Sequence, residues 1–124
     1  MMKLFLIIGS INMVLAVGLG AFGAHGLQGK LTTRMLEIYQ TGVQYHMIHA
    51  IGILIIAIVA DRLGSPGMIT WAGWSMFIGI LFFSGSLYIL SISGVKILGA
   101  ITPIGGVFFM VGWVLLALAA FKGL

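Results

Sequence analysis

Leu4-Phe5-Leu6-Ile7-Ile8-Gly9-Ser10-Ile11-Asn12-Met13-Val14-Leu15-Ala16-Val17-Gly18-Leu19-Gly20-Ala21-Phe22-Gly23-Ala24 contains no ionisable side chain, and its only polar ones are Ser10 and Asn12. At ~1.5 Å per residue a helix over this run reaches ~30 Å, the thickness of a bilayer's hydrocarbon core. Three more apolar runs follow, at about 43–60, 68–90 and 97–121. The chain therefore reads as an all-α integral membrane protein, a single domain over 1–124 folded as an antiparallel four-transmembrane-helix bundle. Composition agrees: 61% of residues are hydrophobic and 6% are charged, against roughly 25% charged in a soluble domain. The few Asp, Glu, Lys and Arg residues stand at the edges of the runs.

Met1-Met2-Lys3 before an apolar run resembles a secretory signal, and Ala21-Phe22-Gly23 has small residues at cleavage-like spacing. The run is longer than the roughly 7–15 residues of a cleavable segment and three others follow it, so it is expected to be a span. Between spans 1 and 2, His25-Gly26-Leu27-Gln28-Gly29-Lys30 breaks the pattern. A short amphipathic helix is expected over about 31–42, with Met35, Leu36, Tyr39 and Val43 on one face and Arg34, Glu37, Gln40 and Gln44 mainly on another. Being too short to span, it is expected to lie in the membrane interface. Gly64-Ser65-Pro66-Gly67 reads as the next turn.

The absence of cysteine excludes disulfides, thiolate metal sites and thiol nucleophiles. A net charge of +4 could suggest nucleic acid, but no basic stripe exists to neutralise phosphates. The cations fit lipid headgroups and topology instead, and no nucleic-acid partner is expected. Lys3, Arg62 and Lys122 fall on the side of the termini, and Lys30, Arg34 and Lys96 on the other. The count is even, so the expected orientation, both termini cytoplasmic, rests on the N-terminal amine beside Lys3 and on the glycine-rich loop being the longer.

Helices in lipid associate largely by close packing of small residues. Gly9, Ala16 and Gly23 repeat at heptad spacing, as do Gly105, Gly112 and Ala119, while Ala50, Ala57 and Gly64 form a third line. Ser75 and Gly79, with Ser86 further on, supply a fourth. Such faces predict helix–helix seams, and they also permit a homo-oligomer.

Several uncharged polar residues interrupt the apolar runs. Asn12 must hydrogen-bond to another helix, because an unsatisfied amide in hydrocarbon costs several kcal/mol. His46 and His49 stand near the start of the second span, about 60° apart around it. They could meet a shared partner, handle protons, or ligate a divalent ion or haem if His25 or Glu37 joined them. Ser84, Ser86 and Tyr88 cluster late in the third span, and Thr102-Pro103 opens the fourth. Serines in such helices usually bond back to their own backbone.

No carboxylate lies deep in a span, since Glu37 and Asp61 both stand at edges. A small proton-coupled antiporter needs an intramembrane carboxylate, and a hydrolytic triad needs one beside a histidine. The chain is therefore expected to be non-enzymatic, with no catalytic residue, no resident metal and no cofactor. The alternatives are a small transporter or channel, for a polar or amphipathic solute or an ion, and a metal- or haem-binding membrane subunit.

Gly20-Ala21-Phe22-Gly23-Ala24-His25-Gly26-Leu27, Gln44-Tyr45-His46 through His49-Ala50, Phe83-Ser84-Gly85-Ser86-Leu87-Tyr88, and Thr102-Pro103-Ile104-Gly105-Gly106 with Gly112-Trp113, taken in order, resemble the membrane family called domain of unknown function 423. That family includes bacterial YwdK-type proteins and the transmembrane protein 256 group. The resemblance implies four spans in a bacterial plasma membrane and no established biochemical activity. Its strings coincide with the polar set already isolated. Asn12, His25, Gln44, His46, His49, Ser84, Ser86, Tyr88 and Thr102 are accordingly the candidate ligand-binding residues. They are expected to converge in one polar pocket near the interface away from the termini, for a small polar or amphipathic ligand or an ion.

Overall fold

A computed structural model describes residues 2–63 and 66–123, Pro66 by its backbone alone. Helix α1 runs Met2–His25 and α2 Thr33–Val59. Helix α3 (Pro66–Gly79) passes through a π-helical turn, Ile80–Ser84, directly into α4 (Gly85–Ser93). A 3-10 turn, Lys96–Ala100, then leads into α5 (Thr102–Gly123). Four segments are long and apolar enough to cross a membrane: Met2–His25, Thr33–Val59, Gly67–Ser93 and Lys96–Gly123. The expected fold class therefore holds.

Local chemistry sets the ends of these helices. The Thr32 hydroxyl accepts the Met35 N–H at 3.1 Å, an N-cap that starts α2. Gly94 ends α4 with a left-handed φ of 75° and returns its N–H to the Leu90 carbonyl at 2.8 Å. Pro103 falls in the first turn of α5, where its missing N–H costs nothing.

The structure corrects the sequence reading of the amphipathic stretch. Residues 33–42 are helical, but they are the first turns of α2, continuous with the span rather than laid in the interface. No proline interrupts Thr33–Val59, and Tyr39 is fully buried against α1, which holds these turns upright. At ~1.5 Å per residue α2 is ~40 Å long, so it outreaches a ~30 Å hydrocarbon core. The fourth span also opens differently from the expected start at 97, with the 3-10 turn before the α-helix.

The anticipated small-residue lines are seams between helices. Gly9, Ala16 and Gly23 are buried along α1, and Gly105, Gly112 and Ala119 along α5. Ala50 and Ala57 are buried on α2, while Gly64 of that line lies outside the described residues. A Cβ at Gly9 would meet the Leu54 side chain 2.8 Å away and the Ala50 carbonyl at 3.1 Å, and one at Gly23 would strike the Tyr39 ring. One at Gly105 would strike the backbone N of Phe83, and one at Gly112 would come within 3.2 Å of the Ala72 carbonyl. These contacts pair α1 with α2 and α3 with α5, antiparallel in both cases. Burial ranks the spans: 44% and 50% of the second and third are buried, against 22% of the first and of the fourth. Helices α2 and α3–α4 are thus the inner pair, and α1 and α5 flank them.

The interior divides along the membrane normal. Phe5, Ile53, Ile56, Ala57, Leu63, Ile69, Ala72 and Met76 form an apolar core in the half nearer the chain ends. Residues whose side chains hydrogen-bond across helices occupy the other half.

Candidate functional site

Asn12 is ~15 Å along α1 from Met2 at ~1.5 Å per residue, close to the middle of the span. Its Nδ2–H donates to the Ile8 carbonyl at 2.9 Å, which leaves Oδ1 as an acceptor turned toward α2. His46 Nε2 lies 3.0 Å from that oxygen, and His46 Nδ1 lies 2.9 Å from the Tyr88 hydroxyl. One assignment satisfies every atom: Nε2–H donates to Asn12, and Nδ1 accepts the Tyr88 proton. The imidazole is then neutral, and α1, α2 and α4 are joined in one directed chain.

His49 takes the opposite tautomer. Its Nδ1–H donates to the Tyr45 carbonyl at 2.8 Å, and Nε2 accepts the indole N–H of Trp113 at 2.9 Å. The ring also stacks on Phe109, with centroids 3.5 Å apart and planes 6° from parallel. Trp113 and Phe109 both belong to α5, so His49 ties α2 to α5. Only two residues separate the two histidines, yet each serves a different set of helices.

Further ties lie toward the loop end. Tyr39 donates its hydroxyl proton to the Leu19 carbonyl of α1 at 2.5 Å, and its ring lies against Tyr88 at 5.3 Å. Ser84, fully buried, donates to the Gly42 carbonyl of α2 at 2.7 Å. Ser86 donates to the Phe83 carbonyl at 2.9 Å and lies 2.6 Å from the Thr102 hydroxyl, which joins α4 to α5. Two residues apart, about 200° around the helix, Ser84 looks at α2 while Ser86 looks at α5, on either side of the point where the π-helical turn passes into α4.

The candidate residues thus divide into separate groups rather than one pocket. Asn12, His46 and Tyr88 form one hydrogen-bonded set; Ser86 and Thr102 form a second; His49 and Ser84 each bond elsewhere. His25 and Gln44 are exposed and join none of them. Helical geometry explains both: His25 is two residues beyond Gly23 of the α1 seam and Gln44 two residues from His46, about 200° around each helix. The expected depth also shifts, because the Asn12–His46 contact lies near mid-membrane and only the serine–threonine pair approaches the interface. Tyr39, Phe109 and Trp113 complete the arrangement and were not among the candidates. A Trp or Tyr inside a span must find an acceptor for its N–H or O–H, a signal that could have found Tyr39 and Trp113; Phe109 carries no such group.

Chemically, the arrangement leaves little free. Among the described residues no buried side-chain nitrogen or oxygen lacks a hydrogen-bond partner, and no three His, Cys, Asp or Glu residues come close enough to hold a metal ion. Both ring nitrogens of His46 and of His49 are engaged.

Cavities open on the surface between the described helices. A shallow one of about 530 Å³ is lined by Ser10, Met13, Val14, Val17 and Gly18 of α1 with Leu54 of α2. A smaller one of about 260 Å³ is lined by Arg34, Ile38 and Thr41 of α2, Phe83 and Leu87, and Thr102 of α5. Thr102 is the one candidate residue in either lining.

Comparison with known proteins places the chain. Residues 19–106 match the family described as protein of unknown function, DUF423. The chain is 58% identical over 121 residues to UPF0382 membrane protein YwdK of Bacillus subtilis, a match covering 98% of each chain. It is 51% identical to UPF0382 membrane protein SAB0533 of Staphylococcus aureus and 50% identical to UPF0382 membrane protein SERP0230 of Staphylococcus epidermidis, again over 98% of each chain. No solved structure matches. With four membrane-crossing helices and relatives that are themselves membrane proteins along their whole length, this chain is a multi-pass membrane protein and belongs to the DUF423 family.

Proposed function

We propose that this protein is a non-enzymatic structural component of a bacterial plasma membrane, in which the polar residues inside the spans hold the helices in one register. The observation that carries this reading is the complete internal use of the buried polar groups, above all the two histidines fixed in opposite neutral tautomers. A working proton or metal site needs a ring nitrogen free to change partners, and here each is bonded to another helix or to its own backbone. A continuous polar path beside Asn12 and Thr102 would favour transport, and these two belong to different hydrogen-bonded sets. Hydrolysis would need a carboxylate beside a histidine, and the two acids stand at the ends of helices.

Self-association is part of the same proposal. Gln44 faces outward from α2 several residues inside the span and has no hydrogen-bond partner within the described chain. A lipid-facing amide gains by pairing with the same residue of a second copy.

Nitrogen NMR of histidine-labelled protein in bilayers tests the structural role. The expected spectrum has one Nε2–H and one Nδ1–H ring in the interior, neither of them moved by added zinc. A zinc-dependent shift of either ring would assign the histidines to a metal site instead.

A further inference from the structure

The cavity between α2, α4 and the start of α5 has a chemistry that the hydrogen-bonded interior lacks. Its lining is divided: a guanidinium and two hydroxyls come from Arg34, Thr41 and Thr102, and apolar wall from Ile38, Phe83 and Leu87. The hydroxyl protons are already committed. Thr41 donates to the Glu37 carbonyl at 3.0 Å, and Thr102 lies 2.6 Å from Ser86, whose own proton is turned to Phe83. Arg34 is different. Its sole charged partner among the described residues is Glu37, at 3.7 Å, beyond hydrogen-bonding reach, and both side chains are largely exposed at 76% and 60%. Such a pair contributes little and is easily exchanged for a better acceptor. Arg34 therefore brings a planar set of N–H donors with no close acceptor to a lining that contains no acid.

Position in the membrane adds a second, independent constraint. Arg34 is the second residue of an α2 that is ~40 Å long, about 10 Å more than the hydrocarbon core, which gives its side chain the reach to meet the headgroup phosphates. Leu87 lies ~9 Å below the end of α4 at Ser93, at the depth of the upper acyl methylenes, and Phe83 ~15 Å below it, toward the middle of the bilayer. The first turn of α5 opens onto the same cavity and adds the positive end of a 22-residue helix dipole. A volume of about 260 Å³ suits a headgroup and the chain just beneath it, not a whole lipid.

We propose that this cavity is a binding site for one anionic phospholipid of the surrounding bilayer, its phosphate on Arg34 and its upper acyl chain against Ile38, Phe83 and Leu87. The site uses none of the groups assigned above to the helix ties other than Thr102, so it stands or falls separately from the structural reading. Glu37 competes with the lipid for Arg34 and sets its affinity.

Native mass spectrometry of the purified full chain, titrated with phosphatidylglycerol or with phosphatidylcholine, reads the site directly. The wild-type protein is expected to retain one phosphatidylglycerol in preference to phosphatidylcholine. Arg34→Gln should weaken that binding about fivefold, the effect of losing one surface cation of about 1 kcal/mol. Glu37→Gln should strengthen it. Both side chains are exposed, so neither substitution threatens the fold, and circular dichroism checks this. Equal retention of the two lipids, or Arg34→Gln binding unchanged, overturns the proposal. Displacement of phosphatidylglycerol by inorganic phosphate at matched concentration also overturns it, because the site would then take a free anion and have no use for its apolar wall.

Discussion

Gly105→Ala places the new methyl group on the backbone nitrogen and Cα of Phe83, in the π-helical turn. A flexible side chain could rotate away from such a contact; a backbone cannot, so α5 must move outward as a body. Overpacking of this kind costs about 1–3 kcal/mol, and rigid neighbours put the cost near the upper figure. The gain in helix propensity returns at most about 1 kcal/mol, for a net loss of about 2. Gly18→Ala is the matched control, because a Cβ there meets nothing within 4 Å and keeps the propensity gain. The two variants should therefore differ by about 3 kcal/mol, roughly a hundredfold in the folding equilibrium. Reversible unfolding in mixed micelles, followed by circular dichroism, measures this difference. Equal stability of the two, or a more stable Gly105→Ala, would refute the close approach of α5 to the π-helical turn.

Other substitutions probe separate parts of the account. Tyr88→Phe removes one hydrogen bond from His46 and should cost about 0.6 kcal/mol in the same unfolding assay, the average for interhelical hydrogen bonds in membranes. Gly94→Ala forces a left-handed conformation on a residue with a Cβ and should cost about 1 kcal/mol, whereas Gly29→Val, at the other positive-φ glycine, should cost more because of its branching. Gln44→Leu should reduce self-association, read by cross-linking or sedimentation in detergent, without lowering the stability of the single chain. The protein has no cysteine, so single cysteines at Gln28 and Lys122 report orientation cleanly with an impermeant maleimide. The Gln28→Cys variant is expected to label from outside the cell and Lys122→Cys only after permeabilisation.

Much of the architecture can be read before any coordinates because lipid imposes simple rules. Gly9, Ala16 and Gly23 announce a seam by their spacing, and Asn12 between them announces a bond to another helix. What spacing cannot name is the partner: His46 lies 34 residues away in the chain, and nothing local to either residue specifies the pairing. The π-helical turn was hidden for a different reason. Ile80-Leu81-Phe82-Phe83-Ser84 is as apolar as any α-helical segment, and the close approach of Gly105 from α5 to its backbone is visible only in three dimensions. His25 and Gln44 were grouped with the interior residues by their place along the chain, although their angular position around the helix sets them apart. Trp113 stands in the sequence only as part of the Gly112-Trp113 string, and nothing near it in the chain shows that its indole N–H completes the His49 environment.

The claim that buried polar groups act as interhelical ties is tested most directly by a double-mutant cycle between Asn12 and His46. Asn12→Ala, His46→Ala and the double variant, unfolded reversibly in the same micelles, isolate the coupling between the two side chains. The account predicts a favourable coupling of about 0.6–1.7 kcal/mol, from the average to the largest value for interhelical hydrogen bonds in lipid, with the double variant less destabilised than the sum of the singles. Strict additivity would contradict it, since Asn12 and His46 would then hold nothing together and their burial would need another purpose.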